Sequence, residues 1–125
     1  MAANKKVLII DDDPAICESV KAILDANGFA TEYALSGKDG LEAFHRTAPD
    51  IVLCDMMMED IDAGAKVAKI MKRERPEIPL FLLSTIGDAT ANTIGLGDLG
   101  FSGVFQKPVN FDLLLAVIGH LAGPR

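Results

Sequence analysis

A chain of 125 residues, half of them hydrophobic and 24% charged, has the balance of one globular domain rather than a disordered or fibrous polymer. Its formal charge of −6 repels phosphate backbones and anionic headgroups, so neither nucleic acid nor membrane is an expected direct partner of this domain. No apolar run reaches a membrane-spanning length, and the basic start, Met1 to Lys6, runs through a short apolar stretch into three aspartates, which is no secretory leader; a cytoplasmic protein is expected.

In chain order, the first apolar run is Val7-Leu8-Ile9-Ile10, ending in Asp11-Asp12-Asp13. Its continuous hydrophobicity predicts a buried parallel strand. A helix follows over 14–27, with Asp13 capping it, Pro14 at its first position and Gly28 closing it. Ile16, Val20, Ile23 and Leu24 supply its apolar stripe. The second strand, 29–34, carries Thr31 and Glu32, and that polarity suits a sheet edge. Ser36, with Asp39 three residues on, starts a second helix that ends before Pro49.

The third strand, 51–54, runs into Asp55, and a third helix is predicted over 63–74 with Val67, Ile70 and Met71 facing inward. The fourth strand, 80–83, runs into Ser84-Thr85. A helix slot follows over 88–100, where Gly95 and Gly97 each cost about 1 kcal/mol relative to alanine, so a short or mobile helix is expected. The fifth strand, 103–106, leads to Lys107-Pro108, and a last helix runs over 111–121. Five such units in one small domain predict a three-layer, doubly wound (βα)5 fold with helices on both faces of a parallel sheet. Cys17 and Cys54 match no metal or redox spacing and read as reduced core thiols.

In an open parallel sheet, groups just past the strand ends share one rim, where ligands bind. That rim collects Asp11, Asp12, Asp55, Ser84 and Lys107. Each feature alone has a plain structural role. Three aspartates before a helix complement its dipole, Ser84-Thr85 suits a turn, and Lys107 suits solvent. Together they describe different chemistry. Carboxylates brought close repel one another unless a cation intervenes, and hard oxygen donors of this kind suit Mg²⁺. A carboxylate beside Mg²⁺ can attack a phosphoryl group in line, while an ammonium and a hydroxyl receive the charged oxygens.

The stretches VLIIDDDP (7–14), DIVLCDMMMEDIDAG (50–64), IPLFLLSTIGD (78–88) and GVFQKPVNFDLL (103–114) together resemble the receiver domain of two-component response regulators. The resemblance covers essentially the whole chain, read as a single receiver domain over 1–125, and implies a flavodoxin-like fold with strand order 2-1-3-4-5. It makes Asp55 the phosphoacceptor, Ser84 the switch hydroxyl and Lys107 the phosphoryl-contacting lysine. It implies Mg²⁺ as cofactor, held by Asp12, Asp55 and the backbone carbonyl of Met57, with Asp11 bound through water. A histidine kinase or phosphotransfer protein would supply the phosphoryl group, and a downstream effector protein or domain would receive the signal. Such a domain catalyses only its own phosphorylation and dephosphorylation. Val104 stands where the family usually carries an aromatic, so switching is expected to proceed without a ring rotating at that position.

The alternative reading is a receiver-like interaction module that works without phosphorylation, although such modules usually lack a site residue and this chain retains the set. A metal-dependent phosphatase would usually present an acid where Met57 stands. A flavin site would need a phosphate-cradling loop where the three aspartates stand. His45 and His120 fall on predicted helices without partners and read as surface or packing residues.

Overall fold

Strand runs that are apolar at every position need cover on both faces, and the computed structural model, which describes residues 5–55, 63–85 and 102–122, supplies it. Its elements are β1 (Lys6–Ile10), α1 (Pro14–Ala26), β2 (Ala30–Ala34), α2 (Gly37–Thr47), β3 (Ile51–Asp55), α3 (Ala63–Glu74), β4 (Leu80–Thr85), β5 (Gly103–Lys107) and a last described helix, here α4 (Phe111–Ala122). The five strands form one parallel sheet in the order β2-β1-β3-β4-β5. This is the flavodoxin-like doubly wound arrangement, with the polar second strand at an edge as its composition predicts. The helix expected over 88–100 lies outside the described residues. Among those residues, no helix is long and apolar enough to cross a membrane.

Alternation along the strands divides the interior into two cores. Leu8, Ile10, Val52, Cys54, Leu80 and Leu82 face α2 and α3, meeting Phe44, Val67 and Met71. Val7, Ile9, Leu53, Phe81, Leu83 and Phe105 face α1 and α4, meeting Cys17, Val20, Leu24, Leu114 and Ile118. The buried seam of α1 is therefore Cys17-Val20-Leu24 rather than one built on Ile16 and Ile23, which are only partly covered. Both cysteines are buried, and neither is in a disulfide.

Three strands extend past their predicted ends. β3 includes Asp55, β4 includes Ser84 and Thr85, and β5 includes Lys107, with the ladder pairing Asp55 to Leu83, Ser84 to Gln106 and Thr85 to Lys107. Ladder bonds are made by the main chain, so a polar side chain does not end a strand where the apolar run stops. β2 begins one residue late, at Ala30, because the Phe29 amide donates to the Leu24 carbonyl at the end of α1.

The helix ends follow their side chains. Asp13 accepts the Ala15 amide at 2.9 Å, and Ser36 accepts the Asp39 amide at 3.1 Å. Gly28 takes the left-handed turn after α1 at φ 92°, but α2 closes on Ala48 at φ 47°, a conformation that alanine adopts only at a cost. Gly40 lies where α2 crosses β1, and a Cβ there would stand 2.7–2.9 Å from Ile10 Cδ1, Cγ2 and Cγ1. Three atoms of a buried β-branched side chain cannot all turn away together.

These two positions predict opposite outcomes in urea denaturation. Ala48→Gly should stabilise the fold by about 1 kcal/mol through relief of the left-handed backbone. Gly40→Ala should destabilise it by about 1–3 kcal/mol, because overpacking outweighs the better helix propensity.

Candidate functional site

Parallel strands deliver their C-terminal ends to one rim, and the strand order decides which residues meet there. β1 and β3 are neighbours with Ile10 opposite Cys54, so the next residues, Asp11 and Asp55, stand side by side. Carboxylate oxygens of Asp11, Asp12 and Asp55 all lie within 4.8 Å of one another. Asp11 is fully buried and Asp55 is 7% exposed, whereas Asp12 is open to solvent. Ser84, 4% exposed, follows the β4 residue paired with Asp55 and so reaches the same rim.

Lys107 bridges this acidic group from the far edge of the sheet. Its Nζ lies 2.8 Å from Asp11 Oδ2 and 3.4 Å from Asp55 Oδ2. This Asp11 oxygen is buried, and the Lys107 ammonium is the charge that meets it. The other oxygen, Oδ1, accepts the Asp13 amide at 2.9 Å. Burial opposes the charge on Lys107, yet Asp11 and Asp55 outweigh it and hold the ammonium pKa above the ordinary value of 10.5.

Cys17 lies beneath the acidic group, its Sγ donating to the Asp11 carbonyl at 3.4 Å. Burial first, then the charges of Asp11 and Asp13, push this thiol up to about 12. It is held as a neutral thiol, as a core cysteine should be.

Of the residues singled out from sequence, Asp11, Asp12, Asp55 and Lys107 come together and Ser84 joins them on the rim. Met57 lies outside the described residues. The sequence reading made Asp13 a helix cap only, but its amide also orients Asp11. The signal was present in the run of aspartates ahead of Pro14, since a cap turn aims its amide back along the chain. His45 does not lack a partner as expected. Its Nε2 meets Glu74 Oε1 at 2.6 Å, tying α2 to α3 across a gap of 29 residues that no local pattern reveals.

Three outcomes follow from these environments. Iodoacetamide at pH 8 should label neither Cys17 nor Cys54 in the native protein and both after denaturation, read by intact mass. Lys107 has its pKa raised in the folded state, so its stabilising contribution is complete below about pH 10.5 and is lost as pH rises through the higher folded value. Lys107→Met should therefore be less stable than wild type at pH 7, with the difference narrowing in strong alkali. In Asp11→Asn, burial acts on Lys107 with less opposition, and NMR titration of its ε-methylene should give a lower pKa.

The profile of the response regulator receiver domain matches residues 7–119. Transcriptional regulatory protein CseB of Streptomyces avermitilis is 33% identical, the match covering 100% of this chain and 55% of that protein. Response regulator MprA of Mycobacterium leprae is 32% identical, with 93% and 50% covered. The chain thus spans about half the length of these curated relatives. Among solved structures, the receiver domain of the Francisella response regulator 1452 is 30% identical with a TM-score of 0.81, covering 94% of this chain and 96% of that one. A receiver domain protein from Clostridium thermocellum is 28% identical with a TM-score of 0.83, covering 94% and 93%. Sequence and fold agree over nearly the full length, and the chain belongs to the receiver domains of two-component response regulators.

Proposed function

We propose that this domain takes a phosphoryl group from a histidine kinase or phosphotransfer protein onto Asp55, with Mg²⁺ as cofactor, and responds by changing its contacts with a downstream effector protein or domain. The observation that carries this reading is the placement of Asp55, nearly buried, within reach of one ammonium and two further carboxylates. The whole chain acts as one cytoplasmic receiver domain, and it catalyses only the gain and loss of its own phosphoryl group.

In the proposed reaction an Asp55 oxygen attacks the phosphorus, a new O–P bond forms, and the donor leaves with the electrons of the broken bond. Lys107, already 3.4 Å from Asp55 Oδ2, accompanies the charge carried by the transferred oxygens. Ser84 offers a hydroxyl donor from the neighbouring strand. Asp11, held through the Asp13 amide, keeps Lys107 protonated and aimed at the rim.

The donor set fits a hard divalent cation. Among the described residues, three carboxylates share one ammonium, that of Lys107. Asp12 and Asp55 would hold Mg²⁺ directly together with the Met57 carbonyl, and Asp11 through water. Bound there, the ion would neutralise charge on the phosphoryl oxygens.

Incubation with acetyl phosphate and Mg²⁺ should add one phosphoryl group per chain by intact mass. Asp55→Asn, or removal of divalent metal, should abolish the addition. Labelling that survives either change overturns the assignment of Asp55, and a wild type that never labels favours an interaction module working without phosphorylation.

A further inference from the structure

The outer edge of β2 carries a set of contacts that the phosphoryl chemistry does not use. In a parallel ladder alternate residues turn both amide and carbonyl to the same side. Ala30 donates to the Lys5 carbonyl and Ala34 accepts the Asp11 amide, both on the β1 side. Phe29, Thr31 and Tyr33 therefore face outward. An edge of this kind is a template for another strand.

Helix α1 lies along that edge and occupies it. The Thr31 amide donates to Asp25 Oδ1 at 3.1 Å, and the Thr31 carbonyl accepts from Lys21 Nζ at 2.9 Å. Lys21 and Asp25 also bind each other at 2.8 Å. Two residues further along the strand, the Tyr33 hydroxyl donates to Glu18 Oε2 at 2.5 Å. Glu18, Lys21 and Asp25 have the i, i+3, i+7 spacing of a single helix face, so a charged stripe runs beside the strand. The Lys21–Asp25 pair is about 40% exposed on each side, and as an ion pair it contributes little. Its distinctive feature is that both members are spent on the main chain of one edge residue. Lys21 first, and then Thr31, hold the Asp25 carboxyl below its ordinary value, so Asp25 keeps its charge toward both partners through the neutral range.

We propose that Lys21 and Asp25, with Glu18 holding the Tyr33 hydroxyl beside them, form an edge guard: the pair fills the outward main-chain hydrogen-bonding positions of Thr31 and so prevents β2 from pairing with β2 of a second copy of the chain. Two identical edges related by a two-fold axis are self-complementary, which makes the second copy the natural intruder.

The test is a Lys21→Ala, Asp25→Ala double variant, studied by sedimentation and by amide hydrogen exchange resolved by NMR. It should self-associate as concentration rises, approaching twice the wild-type mass, with the Thr31 and Tyr33 amides gaining protection in step. Adding Thr31→Pro removes the outward amide without touching the β1 ladder, and should return the protein to the wild-type mass. A folded double variant that stays at the wild-type mass overturns the proposal. So does association that the proline leaves intact, or association without protection at Tyr33. If the double variant fails to fold, Lys21→Met, which keeps the packed stem, is read the same way. A wild-type mass at every concentration then overturns the proposal equally.

Discussion

A fully buried aspartate must be met by a cation, and that requirement ties the first strand of this domain to its last. Asp11 follows β1 and Lys107 ends β5, with β3 and β4 lying between those strands in the sheet. The lysine and aspartate side chains therefore reach toward each other over the ends of the intervening strands. Removing an ion from water costs several kcal/mol, and stripping one member from a buried pair costs about 3–5 kcal/mol. Register, strand order and the length of β5 must all be correct for this contact to exist. The same geometry leaves the group short of positive charge, because the ammonium is shared between Asp11 and Asp55 while Asp12 stands beside them. An acidic rim that is only partly neutralised attracts cations by its construction.

Much of this was legible in the chain because parallel sheets write themselves plainly. Buried strands appear as unbroken apolar runs, and the rim residues are whatever follows each run. Asp11, Asp55, Ser84 and Lys107 could be picked out on that basis alone. Which strands are neighbours could not be read from periodicity and rested on family resemblance. Strand ends were misjudged for a physical reason, since Asp55 and Lys107 belong to ladders that main-chain bonds extend regardless of polarity. Contacts between distant side chains left no local trace, as with His45 and Glu74. Cys17 was rightly placed in the interior, but its place in the α1 seam was given to larger aliphatic residues.

The two cores make different demands on their helices. On one face α2 comes so close to β1 that position 40 has no room for a side chain, with Ile10 filling the space. On the other, α1 and α4 stand off on larger groups, including the paired rings of Phe81 and Phe105 at 5.2 Å. Asp11 and Asp55 sit at the ends of β1 and β3, two of the three interior strands, which are covered by both cores. The acidic rim is thus carried on strands paired on both sides and covered on both faces, as groups fixed for electrostatic work should be.

Asp13 performs two tasks with two parts of one residue. Its carboxylate fastens the first turn of α1 through the Ala15 amide, and its own amide fixes the rotamer of Asp11. The start of the helix and the orientation of a buried charge are therefore one mechanical joint. A displacement of Asp11 works against the cap, and fraying of the cap loosens Asp11. Side chains further along that helix also hold Thr31 and Tyr33 on β2, so a single helix is fastened at its start to the residue that orients Asp11 and along its length to the outer edge of the sheet.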